Sequence, residues 1–97
     1  MGKTFAVYIL ANQRNGTIYV GVTSNLVGRI CQHKQKLTGG FAARYGVDKL
    51  VYFELYDAAD LAIMREKQLK KWRRAWKIEL IEECNPAWRD LFTDISR

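Results

Sequence analysis

The chain has 97 residues, enough for one domain with a modest core and too few for two. Hydrophobic residues make up 48% of the chain, which excludes a disordered composition. The chain has 16 Lys and Arg against 10 Asp and Glu, and the resulting net charge of +6 favours an anionic partner, either nucleic acid or a membrane surface. No apolar run approaches the roughly 20 residues of a membrane span, and the N-terminus lacks a secretory signal, so we expect a cytoplasmic protein.

The first predicted element is a β-hairpin with strands at about residues 4–11 and 17–22. Apolar residues alternate in both strands, and Asn15-Gly16 between them tolerates the positive φ angles of a tight turn. Alternation predicts an apolar face that packs under helices, formed by Phe5, Val7, Ile9, Ile18, Val20 and Val22.

The opposite hairpin face is predicted to carry Tyr8 and Tyr19, with Gly21 leaving room beside them. The register stays open between two alternatives. A two-residue turn at Asn15-Gly16 places Tyr19 opposite Asn12, whereas a wider loop centred on residues 13–14 sets the two tyrosine rings side by side.

A helix over residues 25–36 follows, with Ser24 as its predicted N-cap. Arg29 and His33 are four residues apart, so they share one face of this helix. Thr38, Gly39 and Gly40 end it, and we expect a loop from there to Gly46.

Residues 50–56 predict a third strand, which must join the hairpin because two strands alone are marginal in water. Alternation assigns its side chains to two faces, one with Val51, Phe53 and Leu55 and the other with Tyr52, Glu54 and Tyr56.

The C-terminal half is predicted to be helical. Asp57 is the expected cap of a helix in which Glu66 lies at the margin of the buried stripe, where a carboxylate can point into a cleft. The inner face is predicted to contain Leu61, Met64, Gln68, Leu69 and Trp72. The helix is expected to bend or restart near residue 75 and run to about residue 83.

A last short helix capped by Asn85 and starting at Pro86 is predicted to bury Trp88, Leu91 and Phe92. The element order β-β-α-β-α-α predicts a small α/β domain with a three-stranded, mainly antiparallel sheet flanked by helices. Cys31 and Cys84 have no metal-ligand spacing, so we expect buried, reduced thiols rather than a zinc site.

One ordered set of residues resembles the GIY-YIG nuclease superfamily. Ala6-Val7-Tyr8 stands where that family has Gly-Ile-Tyr, and Tyr19-Val20-Gly21 where it has Tyr-Ile-Gly. Arg29, His33 and Glu66 match further family positions. The resemblance covers nearly the whole chain. It is strongest to the small single-domain members of the family that are similar to the nuclease module of the excinuclease C subunit, and it implies a single nuclease domain over residues 1–97.

The resemblance implies a metal-dependent endonuclease that hydrolyses DNA phosphodiester bonds. Glu66 is the implied ligand of Mg²⁺ or Mn²⁺, which would act as a Lewis acid. Arg29 would bind the scissile phosphate, and His33 would relay a proton or contact phosphate. Tyr8 or Tyr19 is the implied base, without a choice between them. Since tyrosine has an ordinary pKa of about 10, it can act as the base only if nearby cations lower that pKa, and Arg29, His33 and the metal are the groups that could do so.

Three positions depart from the family pattern. Ala6 replaces a glycine, Val22 stands where some members have a lysine, and Ile78 stands where some have an asparagine. Asn85 could take that asparagine's place only with different local geometry.

The predicted partner is the phosphate backbone of DNA, with low sequence specificity and with single-stranded, branched or damaged DNA as candidate substrates. The expected phosphate ligands are Lys34, Lys36, Arg44, Lys67, Lys70, Lys71, Arg73 and Arg74. Two alternatives from other classes remain: a catalytically silent nucleic-acid-binding module on the same fold, and a basic protein-interaction domain. Taken singly, each of the matched residues also has an ordinary structural explanation, such as an ion pair between Glu66 and Lys70.

Overall fold

A computed structural model describes residues 3–36 and 40–96 of the chain. Its sheet has three strands in the order β2-β1-β3, formed by β1 (Phe5–Ala11), β2 (Ile18–Thr23) and β3 (Lys49–Tyr56). Both strand pairs are antiparallel, so the first strand is central and the second is an edge strand. The predicted three-stranded antiparallel sheet is therefore confirmed.

Helices follow the predicted order, with one short addition. The described helices are α1 (Leu26–Lys34), α2 (Gly40–Arg44), α3 (Ala59–Lys71), α4 (Arg74–Cys84) and α5 (Phe92–Ile95). The addition is α2, so the loop predicted for this segment is wrong from Gly40 to Arg44. The predicted helix break at Thr38 and Gly39 lies outside the described residues. No helix among residues 3–36 and 40–96 is long and apolar enough to cross a bilayer.

Each face of the sheet carries a hydrophobic core, because side chains alternate along the strands. The first core joins the sheet to α3 and α4, and its buried members include Val7, Ile9, Val20, Ala62, Leu69 and Ile81. The second core joins the opposite face to α1 and α2, with α5 packed at its margin, and its buried members are Tyr8, Leu10, Ile30, Ala42, Val47 and Leu50. The sheet is thus covered by helices on both faces.

The buried stripe of α3 differs from the predicted one. Leu61 and Met64 are 51% and 58% exposed, and Gln68 is also exposed, whereas Ala62 and Leu69 are fully buried. Ala62 is flanked by large apolar residues on both sides in sequence, so periodicity alone does not identify the centre of the stripe. Leu69 and the partly buried Trp72 do pack on the first core, as predicted.

A bulge in the β1-β3 ladder shifts the faces of β3. Ile9 pairs with Tyr52 and Leu10 with Leu50, so Val51 is the extra residue between them. Val51 consequently packs in the first core together with Tyr52, against the predicted alternation, and Leu55 is 58% exposed.

Helix caps lie one residue beyond their predicted positions. The Asn25 side chain, not that of Ser24, caps α1 by accepting a 3.1 Å hydrogen bond from the Gly28 amide. Ala58 rather than Asp57 precedes α3, without a side-chain cap. Cys84 is exposed and Cys31 is only partly buried, so the prediction of two buried thiols is wrong.

Candidate active site

The hairpin register places the two tyrosines diagonally on one face of the sheet. Tyr8 pairs with Gly21 and Leu10 pairs with Tyr19, a register midway between the two predicted alternatives. The ring centroids of Tyr8 and Tyr19 are 6.5 Å apart. The predicted shared face is confirmed.

Gly21 leaves the space that the Tyr8 phenol fills. A Cβ at position 21 would lie less than 3.0 Å from Cζ and the hydroxyl oxygen of Tyr8. The phenol therefore lies flat across the neighbouring strand and reaches α1. Its hydroxyl oxygen is 3.1 Å from Nε2 of His33.

Burial controls the protonation of this pair. Burial is the largest cause that raises the pKa of Tyr8 far above its ordinary value; nearby Tyr19 and Glu66 raise it further, and Arg29 opposes them. Burial and then the Arg29 charge lower the pKa of His33. Burial thus favours the protonated phenol and the neutral imidazole, and in the Nδ1–H tautomer of His33 the phenol O–H donates to Nε2. Arg29 does lower the pKa of Tyr8, as expected of a nearby cation, but burial outweighs its effect.

Tyr19 is half-buried and borders the same space. Its ring centroid is 5.8 Å from that of His33 and 5.9 Å from Nζ of Lys70. Lys70 belongs to α3, which packs on the other face of the sheet, so this helix meets Tyr19 at the edge strand β2. Tyr19, unlike Tyr8, is accessible to water.

Glu66 and Arg29 complete what we call the phenol site, formed by Tyr8, Tyr19, Arg29, His33 and Glu66. Glu66 lies one helical turn before Lys70, and its Oε2 is 2.7 Å from Nζ of that lysine. The charges of Arg29 in α1 and Glu66 in α3 both influence the pKa of the Tyr8 phenol, so both residues lie near it. Sequence positions spread over almost sixty residues thus meet at one edge of the sheet.

Arg29 also borders a polar cavity of about 230 Å³ at the start of α1. Thr23, Ser24, Asn25, Gly28 and Gln32 form the rest of its lining. A guanidinium with hydroxyl and amide neighbours suits a phosphate, because its planar fork offers paired N–H donors.

A divalent metal fits this site only through Glu66. Among residues 3–36 and 40–96, no three His, Cys, Asp or Glu side chains come together as a metal cluster. A lone carboxylate is nevertheless a common protein ligand of Mg²⁺, which retains several waters. The Glu66 side chain is 14% exposed and Lys70 holds one of its oxygens, so a metal must compete with that ammonium group.

The predicted phosphate ligands divide into free and engaged cations. Lys34 pairs with Asp90 at 2.5 Å and donates to the Asp48 carbonyl, and Arg74 donates to the carbonyls of Asn15 and Gly16. These two side chains thus make contacts within the fold that the sequence did not predict. Lys70 is exposed but is also engaged, by Glu66. The remaining members are exposed, namely Lys36, Arg44, Lys67, Lys71 and Arg73.

The departures from the expected pattern also have structural explanations. Asn85 is buried, where its amide donates to the Val51 and Arg89 carbonyls, so it lies outside the phenol site. It is not the predicted N-cap, because α5 begins only at Phe92; it is instead the C-cap residue of α4, where its backbone N–H donates to the Ile81 carbonyl. Val22 and Ile78 pack against the first core, on the opposite face of the sheet from the Tyr8 phenol.

Another cavity, of about 360 Å³, lies between α3 and α4. Trp72, Trp76, Glu79, Leu80 and Glu83 line it. The two carboxylates would repel phosphate, so this cavity does not extend the phenol site.

Comparison with known proteins gives a consistent result. Residues 4–79 match the family model for the GIY-YIG catalytic domain. A UPF0213 protein of Syntrophus aciditrophicus is 37% identical over 90 residues, covering 89% of this chain and 97% of the relative. A UPF0213 protein of Autographa californica nuclear polyhedrosis virus is 39% identical over 83 residues, covering 82% of this chain and 78% of the relative. No solved structure matches the chain significantly.

Proposed function

This chain belongs to the GIY-YIG catalytic domain family, and from that premise we propose that it is a divalent-metal-dependent endonuclease that hydrolyses DNA phosphodiester bonds. The observation that carries the proposal is the meeting of two phenols, an imidazole, a guanidinium and a carboxylate in the phenol site. Hydrolysis needs a proton acceptor for the attacking water and positive charge at the phosphate, and these groups supply both.

Arg29 binds the scissile phosphate in the proposed mechanism. Its permanent charge offsets the additional negative charge of the transition state, in which water attacks phosphorus and the 3′ oxygen departs. The polar cavity beside Arg29 gives the phosphate a place to lie, and the start of α1 adds a modest positive dipole there.

Tyr19 is the tyrosine that we propose as the base. It is half-exposed beside Lys70, whereas Tyr8 is 2% exposed and has a pKa raised by burial. Tyr8 and His33 would then form a hydrogen-bonded pair that fixes the geometry around Tyr19 and passes a proton onward.

Glu66 would hold the metal, either Mg²⁺ or Mn²⁺, together with waters and phosphate oxygens. When bound, the metal supplies Lewis-acid stabilisation of the phosphate and of the departing oxygen. Lys70 would leave Glu66 in that state, which frees its ammonium group to contact the DNA backbone.

The ion pair between Glu66 and Lys70 also supports a second candidate, a nucleic-acid-binding module that does not cut. In that case Lys70 keeps the carboxylate neutralised and the exposed cations bind phosphates. The two candidates differ in one result, the cleavage of DNA.

The test is a cleavage assay with the purified chain on labelled single-stranded, duplex and branched DNAs. The proposal predicts products with Mg²⁺ or Mn²⁺, no products in EDTA, and loss of cleavage in Arg29→Ala. Salt-sensitive binding without cleavage of any substrate supports the silent module instead. Cleavage that persists in EDTA contradicts the proposed metal dependence.

A further inference from the structure

A row of aromatic rings leads from the phenol site to the surface. It begins at the buried Tyr8, passes Tyr19 and continues through Phe41 to Tyr45. The ring centroids of Tyr19 and Phe41 are 6.3 Å apart with planes only 24° from parallel, and those of Phe41 and Tyr45 are 4.8 Å apart. The site described above uses only the inner half of this row.

The outer two rings are exposed to solvent. Phe41 lies in α2, and Tyr45 is the first residue after that helix. Each of the two side chains is 48% exposed. The helix is anchored by the buried Ala42, which packs in the second core and thereby holds Phe41 against Tyr19. The short helix buries a single alanine, while Phe41 within it and Tyr45 directly after it lie at the surface, where both rings can contact a ligand.

The surroundings of the row favour an anionic ligand. The Arg44 guanidinium carbon is 5.7 Å from the Tyr45 ring centroid, and Lys70 lies near the Tyr19 ring at the other end. Aromatic faces interleaved with cations are the arrangement that binds single-stranded nucleic acid, since bases stack on the rings while phosphates contact the charges. In a duplex the base faces already stack on one another and are not available to the protein.

We propose that Phe41 and Tyr45 form a stacking platform for unpaired bases beside the scissile phosphodiester. The site would therefore act on single-stranded nucleic acid, or on unpaired segments, in preference to intact duplex. The inference rests on the proposed function for the position of the scissile bond, but base stacking itself is measured without cleavage.

The experiment measures binding of the chain to fluorescent oligothymidylate in EDTA, where no metal is present. A second oligonucleotide replaces the bases with abasic units and keeps every phosphate. Phe41→Leu retains apolar volume without a ring, and Phe41→Tyr retains the ring. Tyr45→Leu and Tyr45→Phe provide the same comparison at the next position, and Trp76→Leu is the control for an exposed aromatic residue elsewhere, because Trp76 is 45% exposed.

We expect Phe41→Leu to weaken oligothymidylate binding by about 5-fold or more, while Phe41→Tyr and Trp76→Leu bind like the parent chain. The abasic oligonucleotide should bind the parent more weakly, and Phe41→Leu should lower its binding little further. Equal binding of the two oligonucleotides overturns the platform. The platform is also overturned if both leucine variants bind oligothymidylate like the parent. A third contradicting result is that the rings mediate only self-association, which would be seen as a dimer that Phe41→Leu abolishes.

Failure of the platform and failure of the nuclease proposal give different results. Ring-dependent binding without any metal-dependent cleavage keeps the platform and rejects the nuclease. Metal-dependent cleavage that is equal on duplex and single strands, and unaffected by Phe41→Leu, keeps the nuclease and rejects the platform.

Discussion

Gly21 lies directly opposite Tyr8 across the β1-β2 ladder, and the space that its missing side chain leaves is filled by the Tyr8 phenol. This pairing directs the phenol across the edge strand towards His33 instead of towards solvent. The glycine of the second family motif therefore positions the tyrosine of the first.

Gly21→Ala should destabilise the fold by about 1–3 kcal/mol, because the new methyl group overlaps the Tyr8 ring. In a Tyr8→Ala background the same change should have a much smaller effect, since the ring is gone. Urea denaturation of the four proteins measures this coupling. An equal effect of Gly21→Ala in both backgrounds would show that the two residues do not compete for space.

His33 is the only histidine in the chain, so its titration can be followed without ambiguity. Burial and Arg29 lower its pKa, and an NMR titration should give a midpoint below the ordinary value of about 6.5. The folded state favours the neutral imidazole, whereas the unfolded chain takes up a proton near that ordinary value. The free energy of unfolding should therefore fall as the pH drops below about 6.5.

His33→Gln is the matched control for this pH dependence, because it removes the titrating group and retains hydrogen-bonding capacity. The free energy of unfolding of this variant should not show the decline that the parent shows between neutral pH and the pKa of His33 in the folded state. A midpoint at or above the ordinary histidine value would contradict the account of a buried neutral imidazole.

Lys34 and Lys70 should separate structural from DNA-binding cations. Lys34→Ala removes the ion pair with Asp90. Burial raises the pKa of Asp90, but hydrogen bonds from Lys34, Phe92 and Leu50 outweigh this effect and hold that pKa below its usual value. We expect a loss of about 1 kcal/mol in stability and an unchanged salt dependence of DNA binding. Lys70→Ala should leave stability within about 0.5 kcal/mol and reduce the salt slope by about 0.7–0.9.

Denaturation and fluorescence anisotropy at several salt concentrations measure both effects of the lysine variants. Lys34→Ala that binds DNA with a reduced salt slope would show that this lysine contacts phosphate after all.

Arg29 should not be replaceable by lysine. Arg29→Lys keeps a positive charge but loses the planar fork, so single-turnover cleavage should slow by about 100-fold, close to the loss in Arg29→Ala. Arg89→Lys is the matched control, because Arg89 is exposed and pairs with Asp94 outside the phenol site, and this variant should cut at nearly the parental rate. Parental cleavage by Arg29→Lys would reject bidentate phosphate binding.

Sequence patterns identify the strands, the long helices and the side of the hairpin that carries the tyrosines, because strand alternation and helix periodicity report burial directly. They do not fix the hairpin register, because every register that pairs an even-numbered residue with an odd-numbered one places the same side chains on the same face of the sheet. They also miss α2, whose five residues are too few to display a period.

The engaged and free cations could not be separated from sequence, because Lys34 meets Asp90 across 56 positions of the chain. The outer aromatic rings were missed for a related reason. Phe41 follows two glycines in a segment that resembles a loop, and only the packing of Ala42 on the second core brings its ring against Tyr19. Sequence signals that depend on a long-range contact are visible only in the fold.

The central claim is that the phenol site cuts DNA with a metal held by Glu66, and single-turnover cleavage of oligothymidylate in Mn²⁺ tests it most directly. Glu66→Gln should cut at least about 100-fold more slowly than the parent while binding DNA in EDTA with at least equal affinity, since Lys70 is then released from the carboxylate. Glu79→Gln, which removes a carboxylate outside the site, should cut normally. Cleavage by Glu66→Gln at the parental rate, or no cleavage by the parent itself, would contradict the account.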